Sequence, residues 1–294
     1  MMLLHVLEVQ NQLGECILWD TRVGEALWID IVGARFWCWT VGGEPISYSL
    51  TERPGSFALT EIPGRYLGAF ESGFAWFEPL SGAFELVAPV TAAHARLRMN
   101  DGRVDRAGRF WAGSMAEAKG TPLGSLWRYD GAGAARAFLH DIRIPNALCW
   151  SLDGRRMYFA DSKSHTIMAY DFDAERGPIG APRVFATTFE GVHPDGACVD
   201  AEDHLWNAQW NTRGGTGTVV RYRPDGTIER CIELPVSQPS CVAFGGAALD
   251  LLFVSTARID LTPAQLVEQP LAGALFIFQT DVKGVAENRV STTE

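Results

Sequence analysis

Apolar positions in this chain fall in short runs, each cut off by a turn containing Gly, Pro, Asp or Asn, and the runs recur. Phe110, Tyr158 and Trp206 lie 48 residues apart (158 minus 110, 206 minus 158), and Phe253 follows 47 later. Each sits in the same succession: short strand, turn, apolar strand, turn, alternating strand, Gly turn, strand. The alternating strand is clearest in Ser125-Leu126-Trp127-Arg128-Tyr129, Thr166-Ile167-Met168-Ala169-Tyr170 and Thr218-Val219-Val220-Arg221-Tyr222. Trp28 marks an upstream unit, and a weaker one fits around Tyr66 to Phe77. Four strands at this period describe a β-propeller blade, and counting from Leu13 gives six blades in one all-β domain spanning residues 1–294. His5-Val6-Leu7-Glu8-Val9 is then a spare strand, predicted to pair with the last blade and close the ring. A β-sandwich is the competing architecture, disfavoured by the regular period. The only helical signal is Thr262-Pro263-Ala264-Gln265-Leu266-Val267, with Pro suited to a first turn, read as an insertion in the last blade.

Composition narrows the picture. Ten Trp, sixteen Phe and thirty Gly suit many short strands joined by tight turns. A net charge of -10 with no basic stripe argues against nucleic-acid binding. The six Cys show neither a CxxC pair nor a zinc spacing and read as buried thiols of a reducing cytosol. No stretch reads as a secretory signal or a membrane span, so a cytoplasmic monomer or weak oligomer is expected.

Candidate chemistry comes from one shared slot. Asn100, Asn146 and Asp195 each stand just before the innermost strand of three successive units, and Glu15 holds that slot in the first. Asp195-Gly196 alone would pass for a turn, as Asp101-Gly102 and Asp153-Gly154 do. In a propeller the slot faces the central channel, so two carboxylates and two amides converge. The carboxylates would repel each other, and a divalent cation resolves that; all-oxygen ligands select hard ions such as Ca²⁺, Mg²⁺ or Mn²⁺.

The words Leu13-Gly14-Glu15, Arg98-Met99-Asn100-Asp101-Gly102, Gly108-Arg109-Phe110-Trp111-Ala112-Gly113-Ser114-Met115, Ile144-Pro145-Asn146, His193-Pro194-Asp195-Gly196 and Phe244-Gly245-Gly246 occur in that order. In these the chain resembles the regucalcin and gluconolactonase (senescence marker protein-30) family. The resemblance implies a six-bladed propeller with a central metal site. It implies one divalent cation (Ca²⁺, Mg²⁺, Mn²⁺, Zn²⁺ or Fe²⁺) held by Glu15, Asn146 and Asp195, and a substrate pocket lined by Arg98, Asn100 and Glu117. Three positions depart from the family words: Cys16-Ile17 replaces Gly-Pro, and Ala147 replaces a Gly after Asn146. Since Ala does not reach φ > 0 cheaply, the backbone after Asn146 is expected to depart from the family's.

The implied activity is hydrolysis of a pentono- or hexonolactone to the aldonic acid, with Asp195 as general base and Arg98 and Asn100 orienting the sugar. Trp210 offers an apolar wall, and His193 stands near the mouth. No G-x-S-x-G elbow, phosphate loop or H-E-x-x-H helix is present. The alternatives are a non-enzymatic calcium-binding regulator and a metal-dependent esterase or phosphotriesterase.

Overall fold

A computed structural model describes residues 1–90, 97–118 and 120–291. It contains six four-stranded antiparallel sheets arranged as the blades of a propeller. The first strands of blades 1 to 6 are Gly14–Asp20, Pro54–Leu59, Leu97–Val104, Pro145–Trp150, Val192–Val199 and Pro239–Gly245. They pack on one another in a ring and so form the channel wall. The N-terminal strand is Met2–Leu7, three residues before the expected start, and it pairs with Leu275–Gln279 as the outermost strand of blade 6. The first and last segments of the chain thus share one sheet.

The core is divided into clusters, each lying between two neighbouring blades. Leu18, Leu27, Phe57 and Tyr66 join blades 1 and 2; Trp111, Trp150 and Met157 join blades 3 and 4; Trp19, Trp28 and Phe253 join blades 6 and 1. Alternation along a strand explains the division: Phe110 and Ala112 face blade 2 while Trp111 between them faces blade 4. The recurring aromatics are therefore inter-blade wedges. The repeated Val-Asp word has its own structural duty. Asp105 Oδ2 accepts from Trp111 Nε1 at 2.9 Å, and Asp200 Oδ2 accepts from Trp206 Nε1 at 2.8 Å. The other oxygen of each takes backbone N–H groups of the following turn, so both acids are consumed in pinning a hairpin.

The one α-helix among the described residues, Pro263–Glu268, lies between the second and third strands of blade 6. Thr262 and Gln265 form a reciprocal capping box at its start. None of the described helices is long and apolar enough to cross a membrane. After blade 6 the chain runs back across the channel end remote from the slot residues. Gly284 N bonds Leu249 O, Asn288 Nδ2 bonds Val104 O and Val290 N bonds Leu59 O, so this strap touches blades 6, 3 and 2.

Candidate active site

The slot residues lie inside the first strands, not before them. Pairing between first and second strands slips at the same place in every blade: after Glu15, Pro54, Met99, Asn146, Pro194 and Pro239. Each slip is a β-bulge, which re-aims a side chain that regular pleating would bury in the blade. The common register also reveals the two slots that sequence inspection left empty, Gly55 and Ser240. A Cβ on Gly55 would come within 2.3 Å of the Met99 carbonyl carbon, so that slot has no room for a side chain. Ser240 Oγ donates to Gly14 O, a bond internal to the wall.

Two departures from the family words meet at these bulges. Cys16 has φ 48° and Ala147 has φ 54°, so both take the left-handed conformation that Gly would adopt freely. The expectation that Ala147 would send the backbone elsewhere is therefore corrected. Its methyl is fully buried between blades 4 and 5, and that packing offsets a backbone cost of about 1–2 kcal/mol. The Cys16 thiol points to the first strand of blade 2, accepting from Phe57 N at 3.3 Å and donating to Phe57 O at 3.4 Å.

Glu15, Arg98, Asn100, Glu117, Asn146 and Asp195 all line one cavity of about 270 Å³ at the mouth, together with His193 and Trp210. Trp210 belongs to the second strand of blade 5, Leu205–Asn211, where it sits opposite His193. Its apolar neighbours on the wall are Leu13, Val32, Ile144 and Ile259.

The floor is acidic and buried. Burial, reinforced by the nearby Asp101 carboxylate, pushes the Glu15 carboxyl up to about 8. Burial and then Glu15 and Asp101 push Asp195 well above the ordinary carboxylate range. No N–H or O–H among the described residues donates to Asp195 Oδ1, although that atom is buried. A buried acceptor without a donor is costly, and a bound cation would offset that cost. Asp101, which the sequence suggested was only a turn former, is half-buried in the blade 3 bulge. It accepts from Leu148 N at 2.9 Å, and burial raises its carboxyl as well.

The amides are oriented by their neighbours. Ser162 Oγ donates to Pro194 O at 2.7 Å, so it receives the 2.8 Å bond from Asn146 Nδ2. That fixes the flip of the amide and leaves Asn146 Oδ1 on the other side, where Asn100 Nδ2 reaches it at 3.2 Å. Asn100 Oδ1 in turn accepts from Arg98 Nη1 at 2.7 Å. Arg98 is nearly buried, and desolvation lowers its pKa below the usual arginine value. Glu117 is held by Arg53, which also grips Glu71. Arg53, Asp101 and Ser162 were not singled out from sequence. The first and last lie outside the repeated slot, and Asp101-Gly102 has the form of an ordinary turn.

The donor set is two carboxylates and an amide oxygen from blades 1, 4 and 5, one of them with an unfilled oxygen. That chemistry suits a hard divalent cation. No cluster of three His, Cys, Asp or Glu able to hold a metal occurs among the described residues, so the amide is essential to such a set.

Fold and site together define a six-bladed propeller with one polar, acid-floored mouth. The profile of the SMP-30/gluconolactonase/LRE-like region matches residues 13–258, and the chain belongs to that family. It is 36% identical over 201 residues to a 6-deoxy-6-sulfogluconolactonase of Pseudomonas putida, the match covering 68% of this chain and 67% of the relative. It is 36% identical over 223 residues to an L-arabinolactonase of Azospirillum brasilense, covering 74% and 72%. Among solved structures, a calcium-binding protein, regucalcin, from Agrobacterium tumefaciens superposes with a TM-score of 0.91 at 30% identity, covering 98% of both chains. Relatives named as lactonases are consistent with a lactonase.

Proposed function

We propose that this protein is a metal-dependent sugar lactone hydrolase that opens a pentono- or hexonolactone to the aldonic acid. The observation that supports this most is the buried, donor-free Asp195 Oδ1 beside Glu15 and Asn146, on the same cavity as the hydroxyl-reading pair Arg98 and Asn100. Glu15, Asn146 and Asp195 would hold the cation, which when bound supplies Lewis-acid polarisation of a lactone carbonyl. Asp195 takes the proton from the water that adds to the carbonyl carbon and returns it to the ring oxygen as the acyl C–O bond breaks, a role open to an oxygen that no protein donor occupies. Arg98 spends Nη1 on Asn100 Oδ1 and Met99 O, and its remaining N–H groups serve the sugar hydroxyls. Trp210 gives the sugar face an apolar wall. The lactone-hydrolysing relatives agree with this reading, and the calcium-binding structural neighbour agrees with a hard ion.

The test is acid release from neutral glucono-, galactono- and arabinonolactones, with and without EDTA and then with Ca²⁺, Mg²⁺, Mn²⁺, Zn²⁺ or Fe²⁺ restored. An arylester and a phosphotriester are run alongside. Metal-dependent opening of sugar lactones is expected. Cation binding without hydrolysis would point instead to a regulatory calcium-binding role, and hydrolysis confined to the arylester or phosphotriester to an esterase.

A further inference from the structure

Three described cationic side chains line the cavity, and two are already committed. Arg53 is clamped between Glu71 and Glu117, and Arg98 is bonded to Asn100 Oδ1 and Met99 O. The third, Lys163, has no carboxylate within 4.0 Å among the described residues, and its ammonium makes no hydrogen bond there. The nearest acid in sequence, Asp161, turns its oxygens to the backbone N–H groups of Arg143, Ile144 and Lys163 itself. Next to Lys163 on the wall is His193, whose ring lies 4.9 Å from that of His165 and makes no hydrogen bond among the described residues.

The base of Lys163 is held firmly although its side chain is exposed. It sits in the 3-10 turn Ser162–Ser164, capped by Asp161, and the adjoining Ser162 ties Asn146 to Pro194. A cation with a fixed root on a cavity wall, beside an imidazole with free nitrogens, is a receptor for anionic oxygens. In a protein of net charge -10 an anionic substrate gains no help from the overall field, so local recognition has to supply it.

We propose that Lys163 and His193 form a subsite for an anionic group, a carboxylate, sulfonate or phosphate, carried by the lactone substrate away from its carbonyl. This deepens the lactonase reading and rests on it. It makes the preferred substrate an acidic sugar lactone, with Lys163 a specificity-determining residue.

The experiment compares kcat/KM for glucono-δ-lactone with that for its 6-phospho, 6-deoxy-6-sulfo and 6-carboxylate (glucarolactone) counterparts, in wild type, K163M, K163R and H193Q. The wild-type preference ratio, anionic over neutral, is expected to be about tenfold or more and to shrink with added salt. K163M should cut that ratio by about tenfold, K163R should retain most of it, and H193Q should fall between. The identity of the best anionic counterpart separates carboxylate, sulfonate and phosphate. A wild type that opens neutral lactones with no anionic preference, or a K163M ratio equal to wild type, overturns the subsite while leaving the lactonase reading intact. Hydrolysis of no lactone at all overturns both.

Discussion

Glu15 on blade 1 and Asp195 on blade 5 line the same cavity, and the charge of Glu15 helps to hold the Asp195 carboxyl in its protonated form. Both carboxyls are raised, Glu15 to about 8, chiefly by burial. In the metal-free protein, Glu15 therefore binds more protons folded than unfolded between its ordinary value of 4.5 and about 8. Its stability contribution is full below 4.5 and is lost as pH rises through about 8. A cation offsets the cost of burying the charged carboxylate that causes this loss, and it competes with protons for the same oxygens. Thermal melts should accordingly show a metal-induced rise in Tm that is larger at pH 8 than at pH 5.5. In Glu15→Gln the metal-free melt should lose much of its pH dependence over that window. An equal metal effect at both pH values would show that this pair is not where the ion binds.

The two roles assigned to Asp195 separate in Asp195→Asn. The amide keeps an oxygen for a cation but cannot accept a proton near neutral pH. Turnover should fall by about a hundredfold or more, the scale for a positioned general base, while calorimetry still detects metal binding. Recovery of wild-type turnover at saturating metal would move the base elsewhere.

The limits of the sequence are physical. The blade count was legible because Tyr158, Trp206 and Phe253 each wedge their blade against the next; in blade 3 that wedge is Trp111, one residue after Phe110, so the true spacing there is 47 (158 minus 111). The slot was legible where it held an acid or amide. It was invisible at Gly55 and Ser240, where the bulge persists without a polar group aimed at the cavity. A bulge interrupts alternation, which is why the slot residues read as preceding their strands and Asp101 read as a turn. Ala147 misled for another reason: local cost argued against φ > 0, and packing between blades 4 and 5 overrides it. Arg53 and Lys163 recur in no other unit, so no period could reveal them.

Arg98 is placed to meet the substrate in both ground and transition states. Arg98→Ala should therefore raise KM more than it lowers kcat in steady-state assays on a neutral lactone. Its Nη1 also holds Asn100 Oδ1, and Asn100 Nδ2 reaches Asn146 Oδ1, so the same variant should modestly weaken metal affinity. A fall in kcat alone would mean that the guanidinium acts only in the transition state.

At the other end of the channel, Arg103 carries a charge into the interior. Its Nη1 donates to Ala197 O at 2.7 Å, and its Nη2 meets Glu287 of the C-terminal strap at 3.4 Å. The two side chains are only 11% and 13% exposed, so solvent screens the pair little. Removing one partner leaves the other charge desolvated and uncompensated, which in buried pairs costs about 3–5 kcal/mol. Glu287→Ala should fall toward the low end, about 3 kcal/mol, because Ala197 O still receives one N–H. Glu287→Gln keeps an acceptor and should lose less. The double variant Arg103→Met, Glu287→Met removes both charges and supplies apolar bulk, so it should recover much of the loss in Glu287→Ala. Urea unfolding of the four proteins measures these stability differences. If Glu287→Ala stays within about 0.5 kcal/mol of wild type, as an ordinary surface substitution would, the strap is held by its backbone bonds to Leu249, Leu59 and Gly108 and not by this pair.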